Sequence, residues 1–210
     1  MKIGIIGAGH IGGTTAKLFV DAGHEVAISN SRGPETLQDL VRDLGSRAHA
    51  TTPPDAARFG EIVLLAIPLK DYPTLPADEL RSKIAVDAMN YYPNRDGHVE
   101  ALDSGARTSS ELVAAYLEGA RVVKAFNTIW FEHLKTQGDT SKPLDARRAI
   151  FVSGDDAEAK RAVMQLIEGI GFGPVDLGSL RDSSRQQPGA AIYNRDVTVA
   201  EAREIVDGNR

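Results

Sequence analysis

Three glycines in the run Gly7-Ala8-Gly9-His10-Ile11-Gly12 follow directly on an apolar segment, Lys2 to Ile6. In that position each glycine has a task. Gly7 permits a tight turn, Gly9 lets a diphosphate come close to the backbone, and Gly12 lets the following helix pack tightly on the strand. A helix opening at His10 would turn its unpaired N–H groups and the positive end of its dipole toward an anion, so the backbone of His10 matters more than its ring. The pattern points to a dinucleotide held mainly by main chain.

The end of the next strand decides which dinucleotide. A site for NAD usually carries an acid there, accepting from the ribose 2′-hydroxyl. Here the chain reads Asn30-Ser31-Arg32, with no acid. Ser31 can donate a hydrogen bond and Arg32 a charged fork to a 2′-phosphate, which a carboxylate would repel. Gly33 and Thr36, at the start of the following helix, are expected to add a second anion site, slightly opposed by Glu35. The expected cofactor is NADP(H).

The nicotinamide should meet the carboxyl ends of later strands: Ala66-Ile67-Pro68, Ala88-Met89-Asn90 and Ala125-Phe126-Asn127-Thr128. Ile67 and Pro68 offer a dry wall, and Asn90 and Asn127 offer amides, although asparagine at a strand end is also a common turn residue. No Tyr-x-x-x-Lys is present, since Tyr91, Tyr92 and Tyr116 are followed four residues on by Arg95, Asp96 and Ala120. His10, His24, His49, His98 and His133 are scattered, so no metal site is expected, and no Gly-x-Ser-x-Gly elbow occurs. Asp155-Asp156 sits at a helix start, where the dipole accounts for it. With no acid–base group evident, the expected chemistry is hydride transfer by alignment, with no catalytic side chain.

These residues need a frame of alternating strands and helices. Strands are expected at Lys2–Ile6, Glu25–Ser29, Ala48–Ala50, Glu61–Ile67, Ile84–Asp87, Arg121–Ala125, Ala149–Ser153 and Gly173–Leu177. Helices are expected at His10–Ala22, from Pro34 to Leu44, near Asp55, from a Thr108–Glu111 capping box to Tyr116, at Asp155–Ile170 and at Thr198–Val206. Near-continuous apolar strands imply a parallel sheet covered on both faces. The fold class expected is α/β: a Rossmann-type doubly wound parallel sheet with a small C-terminal α/β extension. Residues 1–130 would bind the dinucleotide, and residues 131–210 would pack on them and help form the acceptor site.

Composition narrows the class further. The 210 residues include no cysteine, which removes disulfides, thiolate metal sites and a cysteine nucleophile. A net charge of −5 argues against a nucleic-acid or membrane-surface binder. No apolar run approaches the roughly 20 residues that span a bilayer. A cytoplasmic protein, a small-molecule acceptor as partner and a homodimer are the expectations.

The glycine turn, Ser31-Arg32, Ala66-Ile67-Pro68, Ala125-Phe126-Asn127-Thr128 and Ser153-Gly154-Asp155-Asp156 recur in this order in a known family. The chain resembles the NADPH-dependent reductases of the deazaflavin coenzyme F420 as far as about Leu180. It is also similar to the cytosolic domain of the six-transmembrane metalloreductases, which pass a hydride from NADPH to a flavin. The resemblance implies that Gly9, His10 and Ile11 hold the cofactor phosphates and that Ser31 and Arg32 hold the 2′-phosphate. It also implies that nicotinamide meets deazaflavin near Ile67, Pro68 and Asn127. Phe126, Trp130 and Tyr193 are candidates to stack on the acceptor, and Arg181 and Arg185 to meet its anionic tail. Two alternatives stand beside this reading: an imine or hydroxyacid reductase of the pyrroline-5-carboxylate reductase type, and a non-catalytic NADPH-binding sensor.

Overall fold

The computed structural model describes residues 1–208. Strand β1 (Lys2–Ile6) leads through the glycine turn into helix α1 (His10–Asp21), and β2 (Glu25–Ser29) follows. A single 3-10 turn at Pro34–Leu37 then precedes α2 (Gln38–Leu44), where the sequence suggested one continuous helix from Pro34. Next come β3 (Ala48–Thr51), α3 (Pro53–Phe59) and β4 (Ile62–Leu65). A proline-containing 3-10 segment, Leu69–Thr74, leads to the short α4 (Ala77–Leu80) and to β5 (Ile84–Asp87). Two one-turn helices, α5 (Pro93–Asp96) and α6 (Glu100–Asp103), precede α7 (Ser109–Tyr116). Helix α7 opens on the expected box: Thr108 accepts from the Glu111 N–H while the Glu111 carboxylate accepts from the Thr108 N–H. The chain continues through β6 (Arg121–Lys124), α8 (Phe131–Thr136), β7 (Ala149–Gly154), α9 (Ala157–Gly169), β8 (Gly173–Gly178) and α10 (Val199–Gly208).

All eight strands join one sheet in the order β3-β2-β1-β4-β5-β6-β7-β8. The first six run parallel, in the doubly wound arrangement of a Rossmann fold. Strand β7 breaks the expected all-parallel pattern. It pairs antiparallel to β6, Val123 against Gly154 and Lys124 against Ser153, and β8 then lies parallel to β7. The C-terminal part thus extends the same sheet.

Alternation along the strands supplies two cores. Ile3, Ile5, Val26, Ile28, Leu64 and Val86 point to one face and are covered by Phe19 of α1, Leu44 of α2, Leu134 of α8 and Val163 and Ile167 of α9. Ile6, Ala27, Val63, Leu65 and Ala85 point to the other, under Ala56 and Ala57 of α3, Leu80 of α4 and Val113 of α7. Each fully buried aliphatic side chain contributes about 1.5–3 kcal/mol, which fixes the strand ends relative to one another. A third cluster joins Phe151, Val175 and Leu177 to Val199, Ala202 and Val206 of α10. No helix among the described residues is long and apolar enough to cross a membrane.

Candidate functional site

The chain order 1-4 at the middle of the sheet creates the switch point, a crevice outside the carboxyl ends of β1 and β4. Gly7 occupies its floor with φ 110°, a conformation other residues rarely adopt, and its N–H donates to the Ser29 carbonyl at 2.9 Å. A Cβ on Gly12 would overlap the Gly7 carbonyl oxygen, so Gly12 serves packing and does not face the crevice. Gly9 is the N-cap of α1, with no side-chain capping bond and no acid in the first helical turn. The space a Gly9 Cβ would point into is empty to 4 Å. Uncapped donors at the end of a 12-residue helix, with open space in front, fit a diphosphate.

The crevice has two compartments that share Gly9, Ala66, Ile67 and Pro68. The first, about 580 Å³, runs from Gly7 to Asn30, Ser31 and Arg32. Asn30 shapes this loop: its Oδ1 accepts from the Arg32 N–H at 2.9 Å and its Nδ2 donates to the Thr36 hydroxyl at 2.9 Å. The Thr36 hydroxyl itself donates to the Gly33 carbonyl. Thr36 therefore supports the loop and does not line the compartment, and the expected second anion site is not formed. The 3-10 turn is only four residues long, and the Glu35 carboxylate lies beside Gly33. The Ser31 hydroxyl and the Arg32 guanidinium are exposed and make no hydrogen bond or ion pair among the described residues, so their donors remain available. This end of the crevice fits a phosphate, although Asp71 also borders it.

The second compartment, about 550 Å³, has Ile67, Pro68, Met89, Ile129, Trp130 and Phe131 as apolar walls. His10 stacks on Phe131, with ring centroids 4.1 Å apart, so the glycine turn also anchors α8. Trp130 is 51% exposed and open to a ligand. Phe126 is not: it is fully buried, edge-on to Phe19, and belongs to the core. Its backbone is left-handed (φ 64°), a conformation costing of order 1–3 kcal/mol that turns the chain after β6. Ala125 is likewise fully buried beneath the crevice. Arg181 binds the Gly105 and Ala106 carbonyls and Glu111, and Arg185 binds the Val206 carbonyl, so neither lines the crevice.

Asn127 and Asn90 do meet, but mainly as each other's support. Asn127 Nδ2 donates to Asn90 Oδ1 (3.0 Å) and to the Gln186 carbonyl (2.7 Å), while its Oδ1 accepts from Gln186 Nε2 (3.2 Å). Gln186 is held in turn by Ser153 Oγ (2.6 Å) and the Phe151 carbonyl (3.0 Å). Every polar atom of the buried Asn127 amide is thus engaged, and the Asn90 amide borders the crevice with its Nδ2 donating to the Asn127 carbonyl at 2.9 Å. The sequence could not show this network, because its partners are scattered from β5 to residue 186.

Two further crevice residues, Tyr92 and Arg95, escaped the sequence reading, and they meet Tyr193, which it offered as a stacking candidate. Tyr92 and Tyr193 join hydroxyl to hydroxyl, and the Arg95 guanidinium lies 4.9 Å from the Tyr92 ring centroid. Arg95 also donates to the Asn90 carbonyl and to Asp96. Burial tends to raise the Asp96 carboxyl, but Arg95 and the Tyr92 and Lys70 N–H groups prevail and hold it below the usual carboxylate range. Burial, reinforced by the Tyr92 hydroxyl, pushes the Tyr193 phenol well above its ordinary value, so it stays neutral. Below them Lys124, fully buried, reaches Asp87 at 3.1 Å and the Met89 carbonyl, and Ser110 Oγ donates to Asp87 at 2.7 Å. Burial lowers the Lys124 ammonium against the opposing pull of Asp87.

The chain resembles known proteins in sequence and fold. Residues 2–91 match the family described as NADP oxidoreductase, coenzyme F420-dependent. The metalloreductase STEAP3 of Rattus norvegicus is 32% identical over 181 residues, which is 85% of this chain and 34% of that protein. The chain thus spans about a third of the length of the curated relatives it matches. Among solved structures, the hypothetical protein SMa0349 from Sinorhizobium meliloti is 34% identical, with a TM-score of 0.80, covering 94% of this chain and 95% of that one. A protein of Arthrobacter sp. FB24, provisionally named an F420-dependent NADP-reductase, is 27% identical with a TM-score of 0.73, covering 88% of this chain and 87% of its own. Residues 2–91 place this part of the chain in the NADP oxidoreductase, coenzyme F420-dependent, family.

Proposed function

We propose that this NADP oxidoreductase moves a hydride between NADP(H) and a flat conjugated acceptor, a deazaflavin such as coenzyme F420 or a flavin. The observation that carries the reading is the continuity of the two compartments across Ile67 and Pro68. One compartment ends at the free donors of Ser31 and Arg32, and the other at a broad apolar slot. A dinucleotide laid over Gly9 would bring its 2′-phosphate to the first and its nicotinamide to the second. When bound, NADPH supplies the hydride. The chain's own residues then have three tasks: the backbone of Gly9, His10 and Ile11 binds the phosphates, Ile67 and Pro68 exclude water, and Asn90 orients what enters the slot.

The slot's walls favour an aromatic acceptor over a small imine or hydroxy acid. Ile129, Trp130 and Phe131 present apolar and ring surface suited to stacking, beside the polar groups of Asn90, Tyr92, Arg95 and Tyr193. The test is NADPH oxidation by the purified chain with coenzyme F420, FMN, FAD or riboflavin, beside Δ1-pyrroline-5-carboxylate and a no-acceptor control. Saturable turnover with a deazaflavin or flavin is expected. Turnover confined to the imine would replace this reading with a reductase of the pyrroline-5-carboxylate type. Tight NADPH binding without any turnover would leave a cofactor-binding module.

A further inference from the structure

Two tyrosines 101 residues apart converge on the slot. Tyr92 follows β5, while Tyr193 belongs to the segment between β8 and α10. That segment is anchored on both sides of Tyr193. The Asn194 N–H donates to the Thr128 carbonyl at 3.0 Å, and the Asp196 carboxylate accepts from Arg148 (3.0 Å), His133 (2.9 Å) and Gln137 (3.1 Å). The Tyr193 hydroxyl also receives the Asn90 Nδ2 amide at 3.4 Å.

The orientation of that amide is fixed by its other bonds. Asn90 Nδ2 must donate to the Asn127 carbonyl (2.9 Å) and Asn90 Oδ1 must accept from Asn127 (3.0 Å), so Nδ2 faces Tyr193 as a donor. The Tyr92–Tyr193 bond can run in either direction, and the Asn194 side chain also reaches the Tyr193 hydroxyl. In the arrangement where Asn90 and Tyr92 donate, both lone pairs of the Tyr193 oxygen are filled and its own hydrogen is free for a group in the slot. Burial keeps that phenol neutral and therefore a donor.

The geometry points to Tyr193 as a catalytic residue that donates a hydrogen bond to the acceptor, at the atom where negative charge gathers as the hydride arrives. This rests on the hydride-transfer reading above. The hydride leaves nicotinamide C4 with its electron pair, giving NADP⁺, and a new bond to hydrogen forms on the acceptor. The electron density displaced through the conjugated ring collects on a carbonyl oxygen or ring nitrogen, and the Tyr193 O–H meets it there. No proton leaves Tyr193, and the reduced acceptor takes any proton it needs from water. A preorganised donor of this kind acts because it strengthens only as charge develops. Asn90 and Tyr92 are positioning residues for it.

The test uses Trp130, the chain's one tryptophan, which lines the same slot. Its fluorescence reports occupancy by NADPH, and separately by oxidised coenzyme F420 or FMN, without turnover. Tyr193→Phe removes one oxygen from a half-buried ring. It should leave both affinities within about two-fold while single-turnover hydride transfer falls roughly hundred-fold. Tyr92→Phe should slow the same step roughly two- to five-fold. Equal losses of acceptor affinity and rate in Tyr193→Phe would make the residue a mere wall and overturn the assignment, as would an unchanged rate. A wild-type chain that binds NADPH yet reduces none of the acceptors would instead overturn the hydride-transfer reading, and this role with it.

Discussion

Arg32 carries the case for NADPH over NADH. Its guanidinium is exposed beside Ser31 at the end of the first compartment, with no partner of its own among the described residues. Removing a charge-assisted donor to a phosphate weakens binding roughly ten- to hundred-fold, whereas NADH presents no phosphate there. Arg32→Ala should therefore weaken NADPH by that factor, read by Trp130 fluorescence, and leave NADH nearly unchanged. Equal loss for both would detach Arg32 from the 2′-phosphate. The Lys124–Asp87 pair makes a different prediction, about stability. Both side chains are buried, and Lys124 also ties down the Met89 carbonyl just before Asn90. Lys124→Met would strand the Asp87 carboxylate, at a cost of about 3–5 kcal/mol, measurable by urea unfolding. Lys124→Met with Asp87→Leu should recover much of that loss; no recovery would mean that the cost lies in packing.

In the proposed site an element, not a single residue, would hold the dinucleotide. A Cβ at Gly12 would overlap the Gly7 carbonyl oxygen and push α1 off β1, whereas one at Gly13 meets nothing within 4 Å. Gly12→Ala should destabilise the chain by about 1–3 kcal/mol and abolish NADPH binding, while Gly13→Ala should be neutral or stabilising by up to about 1 kcal/mol. Thermal melts and fluorescence titration of both variants check this, and equal tolerance at the two positions would refute the packing role of Gly12. This region was legible in the sequence because its logic is local: a strand, three spaced glycines and a helix lie within 21 residues. The antiparallel entry of β7 was not. Apolar periodicity marks a strand but carries no direction, and direction here is set by the long crossing from Phe126 through α8 to Ala149. The acceptor side was equally hidden. Asn127 lines the slot but spends its amide on Asn90 and Gln186, Phe126 borders it with a side chain buried against Phe19, and the Tyr92–Tyr193 pair exists only because the chain after β5 and the 190s segment meet in space.

At the scale of the molecule, the two halves of the sheet divide the work. Strands β1 to β6 create the switch point and the first compartment, and the part built on β7 and β8 returns Gln186 and Tyr193 to the end of the adjoining slot. Two joined compartments thus form one trough. In the proposed function the hydride passes directly from one compartment to the other. Deuterium transfer from [4-²H]NADPH to coenzyme F420 or 5-deazariboflavin tests this most directly, because hydrogen at C5 of a deazaflavin does not exchange with water. Label should appear at C5, from one face of the nicotinamide only. A chain that binds both molecules and delivers no label to C5 would contradict the account.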